Sequence, residues 1–87
     1  MDLNLKGKKA LVFGSSSGIG KAVAQSLINE GAQVALCSRS LDKLETTAKE
    51  IGATTYFACD LTKKGEAKNA VEKTIEKLGS IDILVTN

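Results

Sequence analysis

Proline, histidine and tryptophan are all missing from this 87-residue sequence, and its aromatic residues amount to Phe13, Tyr56 and Phe57. Average usage near 5% would give about four prolines in such a chain, so a Pro-rich ligand, linker or disordered tail is disfavoured. Without histidine there is no Ser/His triad, no imidazole metal ligand and no near-neutral imidazole base within these residues. Three aromatics offer no stacking platform for single-stranded nucleic acid. Twelve Lys+Arg against ten Asp+Glu leave a net charge of +2, too balanced for the electrostatic footprint of a nucleic-acid binder. Cys37 and Cys59 are too few, at the wrong spacing, for a zinc site or a disulfide framework; they read as small buried hydrophobes and fit a reducing compartment. The longest unbroken apolar runs are four residues, against the ~20 needed to span a bilayer. Met1 to Lys9 carries charge but lacks the apolar core of a signal peptide. The expectation is a cytoplasmic protein with no membrane partner and no nucleic-acid partner.

What is present is an ordinary globular composition, 43% hydrophobic and 25% charged, compatible with a packed core. Ala10-Leu11-Val12-Phe13, Val34-Ala35-Leu36-Cys37, Tyr56-Phe57-Ala58-Cys59 and Ile83-Leu84-Val85 are continuous apolar blocks, as strands buried on both faces of a parallel sheet are. Helical periods separate them. Ile19, Ala22, Val23 and Leu27 share one face; so do Leu41, Leu44, Ala48 and Ile51, and then Ala67, Ala70, Val71, Thr74, Ile75 and Leu78. Gly31, Gly52 and Gly79 fall just past the helical stretches, where a left-handed residue closes a helix, and Ser40 and Thr62 stand where N-caps belong. The pattern is βαβαβαβ, with strands near 9–13, 33–38, 55–59 and 81–86 and right-handed crossovers. The predicted fold is α/β: a Rossmann-type, doubly wound parallel sheet of order 3-2-1-4, with a ligand at the carboxyl ends of the strands, at the switch point between the first and fourth.

The most informative residues are Gly14-Ser15-Ser16-Ser17-Gly18-Ile19-Gly20, running from the first strand into the first helix. Three glycines and three small hydroxyls let backbone N–H groups and a helix N-terminus approach a phosphate closely. A P-loop is excluded because its first glycine would fall on Ser15, and Ala22 stands where a magnesium-binding hydroxyl is required. Gly14-x-Ser16-x-Gly18 also satisfies the nucleophile-elbow pattern, but a hydrolase of that kind needs earlier strands and a histidine. Dinucleotide binding remains. A dinucleotide site for NAD carries Asp or Glu about twenty residues on, at the end of the second strand. Here that place holds Ser38, Arg39 and Ser40, hydroxyls and a guanidinium suited to a 2′-phosphate, so NADP(H) is favoured over NAD(H).

The spacing Gly14-x-x-x-Gly18-x-Gly20 resembles the Thr-Gly-x-x-x-Gly-Ile-Gly signature of the short-chain dehydrogenase/reductase family. The resemblance runs along the whole chain: Leu5-Lys6-Gly7-Lys8-Lys9-Ala10-Leu11-Val12 is similar to that family's first strand, Asp60-Leu61 to its adenine-side Asp, and Ile81 to Asn87 to its Asp-Ile-Leu-Val-Asn-Asn-Ala-Gly. Phe13 departs from the usual Thr, and Thr86 replaces the first Asn. The resemblance implies that Asp60 and Leu61 border the adenine and that Asn87 lies near the cofactor ribose. It implies an oxidoreductase interconverting a carbonyl and an alcohol, similar among its members to 3-oxoacyl-thioester reductases and assembling as a dimer or tetramer. The catalytic Ser, Tyr-x-x-x-Lys and Asn of that family have no match here; Tyr56 has Asp60 four residues on and reads as core. Residues 1–87 are therefore expected to be the N-terminal, cofactor-binding part of one dinucleotide-binding domain, inactive alone, with no catalytic residue and no metal site of its own. The rival expectation, from the same fold, is a non-catalytic nucleotide-binding or sensor module.

Overall fold

The computed structural model describes residues 4–15 and 18–86. Strands and helices alternate along them: β1 (Lys9–Phe13), α1 (Gly18–Asn29), β2 (Gln33–Ser38), α2 (Leu41–Ile51), β3 (Thr55–Ala58), α3 (Glu66–Leu78) and β4 (Ile83–Val85). The strands form one parallel sheet in the order β3-β2-β1-β4, as expected from the alternation of apolar blocks and helical periods. In register, Phe13 lies beside Cys37 and Cys37 beside Phe57, while Val12 lies beside Val85.

Because successive strand residues face opposite ways, each central strand feeds two cores. Ala10, Val12, Val34 and Leu36 point to the side where Ala24 of α1 and Leu44, Ala48 and Ile51 of α2 close over them. Leu11, Phe13, Ala35 and Cys37 point to the other side and meet Cys59 with Ala70 and Leu78 of α3. The continuous apolar runs of β1 and β2 thus follow from burial on both faces. The outer strands differ from that expectation. Tyr56 and Phe57 of β3 are half-buried and Ala58 is exposed; in β4, Leu84 is 53% exposed between half-buried Ile83 and Val85. Both strands lie at edges of the sheet, where one flank lacks a neighbouring strand among the described residues.

Helix faces also rotate from the predicted stripes. The buried residues of α1 are Gly20 and Ala24, with Leu27 and Ile28 half-buried, whereas Ile19 is 73% exposed and Ala22 is exposed. Two small residues one turn apart let α1 lie close to the sheet, and that approach outranks the larger side chain beside them. In α3 the buried line is Ala70–Thr74–Leu78, leaving Ala67 and Ile75 outside; in α2 Thr47 is buried and Leu41 is half out of the core. Thr74 satisfies its buried hydroxyl by donating to the Ala70 carbonyl at 2.8 Å.

The helix ends follow the punctuation in part. Ser40 caps α2, and Gly31, Gly52 and Gly79 follow their helices with positive φ, as expected. Thr62, however, does not cap α3. Its hydroxyl donates to the Asp60 carboxylate at 2.6 Å, and the helix begins four residues later behind Gly65. An Asp–x–Thr turn has taken the hydroxyl that a cap would have used. At the far end of the sheet Asp82 joins β4 to β1: its carboxylate accepts the Lys9 N–H at 2.9 Å, and its own N–H donates to the Lys9 carbonyl at 2.8 Å.

Leu36 is fully buried at the centre of the α1/α2 face. Leu36→Ala should therefore lower unfolding free energy by roughly 2–5 kcal/mol, read as a lower denaturant midpoint with an unchanged slope.

Candidate functional site

A cavity of about 380 Å³ opens at the carboxyl ends of β1, β2 and β3. Phe13, Cys37 and Cys59 form its floor, Gly14 one edge, Ser38 to Ser40 one wall, and Asp60 to Thr62 the opposite wall. The carboxyl end of the sheet is where a ligand was expected, but the cavity lies on the β3 side of β1. No described residue of β4 lines it. The segments leaving β2 and β3 border it, so this half-open cavity lies beside the end of β2.

The glycine-rich turn borders this space through Gly14. Gly14 and Gly18 have φ of +68° and +62°, a region that L side chains rarely adopt. A Cβ added at Gly18 would meet no atom within 4 Å, so backbone conformation and not crowding calls for glycine there. Helix α1 starts at Gly18 and has no acidic residue in its first turn. Its first N–H groups have no partner inside the helix and present the positive end of its dipole to the turn.

Ser15 is fully buried. Its hydroxyl accepts the Cys37 N–H at 3.1 Å and lies 3.5 Å from the Cys37 carbonyl, which also accepts the Gly14 N–H at 2.8 Å. A side chain thereby continues the β1–β2 ladder beyond Phe13. The Ser15 hydroxyl faces β2 and holds in place the turn whose backbone was expected to meet the ligand.

At the end of β2 the Ser38 hydroxyl accepts the Ser40 N–H at 3.3 Å, and the Ser40 hydroxyl accepts the Lys43 N–H at 3.4 Å. These short-range bonds give Arg39, which lies between them, a defined backbone corner. Arg39 is exposed and forms no ion pair within 4 Å among the described residues. Across the cavity, Asp60 accepts from both the N–H and the hydroxyl of Thr62, at 3.0 and 2.6 Å. These bonds, foremost the hydroxyl, hold its carboxyl below the usual carboxylate range, and the charge of Arg39 acts in the same direction. The Asp60 N–H donates to the Glu66 carboxylate at 2.9 Å. Leu61 leaves an apolar surface, 48% exposed, on the same wall. On the floor, burial, with the Cys59 thiol beside it, pushes the Cys37 thiol well above the usual thiol range. Cys37 is therefore a packing residue and not a nucleophile.

The fold brings Gly14, Ser38, Arg39, Ser40, Asp60 and Leu61 around one cavity. Ile19 and Gly20 do not line it: the one is on the outer surface and the other under α1. Ser16, Ser17 and Asn87 lie outside the described residues. Lys43 and Thr62 line the cavity and escaped the sequence reading. Helical spacing from Ser40 and the Asp–x–Thr pattern were the available signals. No group of three or more His, Cys, Asp or Glu suited to a metal occurs among the described residues, and no helix among them is long and apolar enough to cross a membrane.

Comparison with known proteins matches residues 8–87 to the family model described as short chain dehydrogenase. The chain is 42% identical over 86 residues to a sorbitol dehydrogenase of Cereibacter sphaeroides, covering 98% of this chain and 34% of that protein. It is 44% identical over 90 residues to an uncharacterized oxidoreductase, YvrD, of Bacillus subtilis, covering 100% and 34%. Among solved structures, a hydroxysteroid dehydrogenase from Escherichia coli superposes with a TM-score of 0.92 at 34% identity, over 99% of this chain and 38% of that one. The chain spans about a third of the length of the curated relatives it matches.

Thr62→Val removes the hydroxyl that lowers the Asp60 titration. The folded-state value sits below the unfolded one, so this turn adds stability at neutral pH that is lost as pH falls through the Asp60 titration. The variant should raise the Asp60 midpoint in a carboxyl-carbon NMR titration and flatten that acid limb.

Proposed function

Because the chain belongs to the short chain dehydrogenase family, for which a nicotinamide dinucleotide is the implied cofactor, we propose that it is the NADP(H)-binding N-terminal part of an oxidoreductase. Residues 1–87 then form part of a single dinucleotide-binding domain. The carrying observation is the end of β2: Ser38, Arg39 and Ser40 line the cavity where an NAD site would place a carboxylate.

The residues present suit such a ligand. Gly14, Ser16, Ser17, Gly18, Ile19 and Gly20 would hold the pyrophosphate through backbone N–H groups and the start of α1, with Ser15 positioning the turn. Ser38, Arg39 and Ser40 would take the 2′-phosphate. Arg39 meets an anion with a planar fork of donors and has no ion pair to give up. Asp60 and Leu61 would flank the adenine, an acceptor beside an apolar surface, and Asn87 would lie near the ribose.

Hydride exchange is the chemistry that the nicotinamide supplies when bound. These residues bind and orient. The acid/base work that accompanies a carbonyl/alcohol interconversion falls to a Ser, a Tyr-x-x-x-Lys pair and an Asn that this chain does not match, so it is proposed to be inactive alone. The names of the relatives, for sorbitol and for hydroxysteroids, support an alcohol or carbonyl as substrate of the whole protein. Within that class we place a 3-oxoacyl-thioester-like substrate, on the sequence resemblance. A homodimer or homotetramer in the cytoplasm is the assembly that the same resemblance supports.

Arg39→Asp tests the cofactor reading. NADPH should bind about ten- to a hundredfold more weakly, the worth of one charge-assisted hydrogen bond, while NADH binding holds or improves in parallel fluorescence titrations. Unchanged relative affinities would overturn the NADP(H) assignment.

A further inference from the structure

Four lysines and arginines lie on or beside α1 and α2 near this cavity, and their partners differ. Lys21 pairs with Glu50 across the two helices, and Lys49 pairs with Glu45 one turn away on α2. Arg39 and Lys43 make no ion pair within 4 Å among the described residues, and these two line the cavity. Lys43 also borders the shallow cleft between α1 and α2, but there Glu50 is already held by Lys21, and Asp42, its chain neighbour, does not share its helix face.

Lys43 stands in the first turn of α2, where the helix dipole disfavours a cation. A side chain that breaks a local rule without a partner to offset it is a place to look for a ligand. The opposite wall supplies the reason. Asp60 carries an ionised carboxylate on the cavity rim and interacts with Arg39. Lys63 and Glu66 flank Asp60 in the neighbouring cleft, opposite in sign and offsetting one another. Arg39 would therefore meet a ligand dianion in the presence of that carboxylate, and Lys43 is the other positive group that lines the cavity.

We propose that Lys43 is a second specificity-determining cation for the ribose 2′-phosphate, so that an Arg39/Lys43 pair, set at one corner by the Ser40 cap, reads that group. The proposal rests on the NADP(H) reading above and adds a residue to it. Arg39 supplies the directional fork and Lys43 a point charge on a flexible stem, the two ways in which cations hold a phosphate.

The test uses the full-length protein and two probes that differ only in the 2′-phosphate, 2′,5′-ADP and 5′-ADP, in calorimetric titrations. Lys43→Gln should weaken 2′,5′-ADP about three- to tenfold, leave 5′-ADP within about twofold and make the salt dependence of 2′,5′-ADP binding shallower. Lys43→Arg should restore it. Lys49→Gln removes the same charge from the outer side of α2 and should change neither probe. If Lys43→Gln leaves 2′,5′-ADP unchanged or weakens both probes equally, while Arg39→Ala still weakens 2′,5′-ADP selectively, Lys43 is overturned and the cofactor reading stands. If the unaltered protein binds both probes alike, both fall.

Discussion

The parallel ladder between β1 and β2 does not end with its last strand pair. Beyond Phe13 and Cys37 it is continued by the Gly14 N–H and the Ser15 hydroxyl, which bond the Cys37 carbonyl and N–H. This prolongation fixes the glycine-rich turn against the strand whose next residues are Ser38, Arg39 and Ser40. The glycine-rich turn and the cationic corner are thus spaced by hydrogen bonds in a buried interior, where a bond is stronger and its loss costs more than in water. Cys37 lies under that junction on the α3 side, packed with Phe13 and Cys59. Its buried thiol lines the floor of the cavity.

Charge at the cavity is arranged by competition. On the outer surfaces of α1 and α2, Lys21 and Lys49 are paired with Glu50 and Glu45. The cavity cations Arg39 and Lys43 are left without an ion pair among the described residues, and Asp60, which lines the same cavity, accepts from Thr62 through one carboxylate oxygen. Under the proposed NADP(H) reading, such a wall would discriminate between ligands by charge more than by shape. An anion gains from both cations, while a neutral hydroxyl gains little beyond a hydrogen bond.

Much of the fold was legible because its signals are local and redundant. The apolar blocks around Leu11, Leu36, Phe57 and Leu84, spaced by helical periods and closed by glycines, leave few alternatives to a parallel sheet of order 3-2-1-4. The glycine turn and the Ser38-Arg39-Ser40 corner were legible for the same reason, since each is contiguous in sequence. Thr62 was misread because its hydroxyl had two places to bond, a helix end or the Asp60 carboxylate, and sequence spacing does not rank them. Ile19 was misread because a face of Gly20 and Ala24 looks less apolar than one containing Ile, although the smaller residues permit the closer approach. Lys43 was missed because it belongs to α2 by sequence and to the cavity only by position.

The sequence by itself determined the element order, the family, the glycine-rich turn and the lack of a carboxylate after β2, since each is written in residues adjacent along the chain, where backbone propensity and spacing act directly. Only the tertiary structure decided which helix faces turn inward, that a half-open cavity lies beside the end of β2, that the Ser15 hydroxyl serves β2, and that Lys43 and Asp60 line the same cavity. Those outcomes depend on residues far apart in sequence being brought together, as the Ser15 hydroxyl and the Cys37 N–H are by their hydrogen bond. Close packing chooses among arrangements that local pattern leaves equivalent.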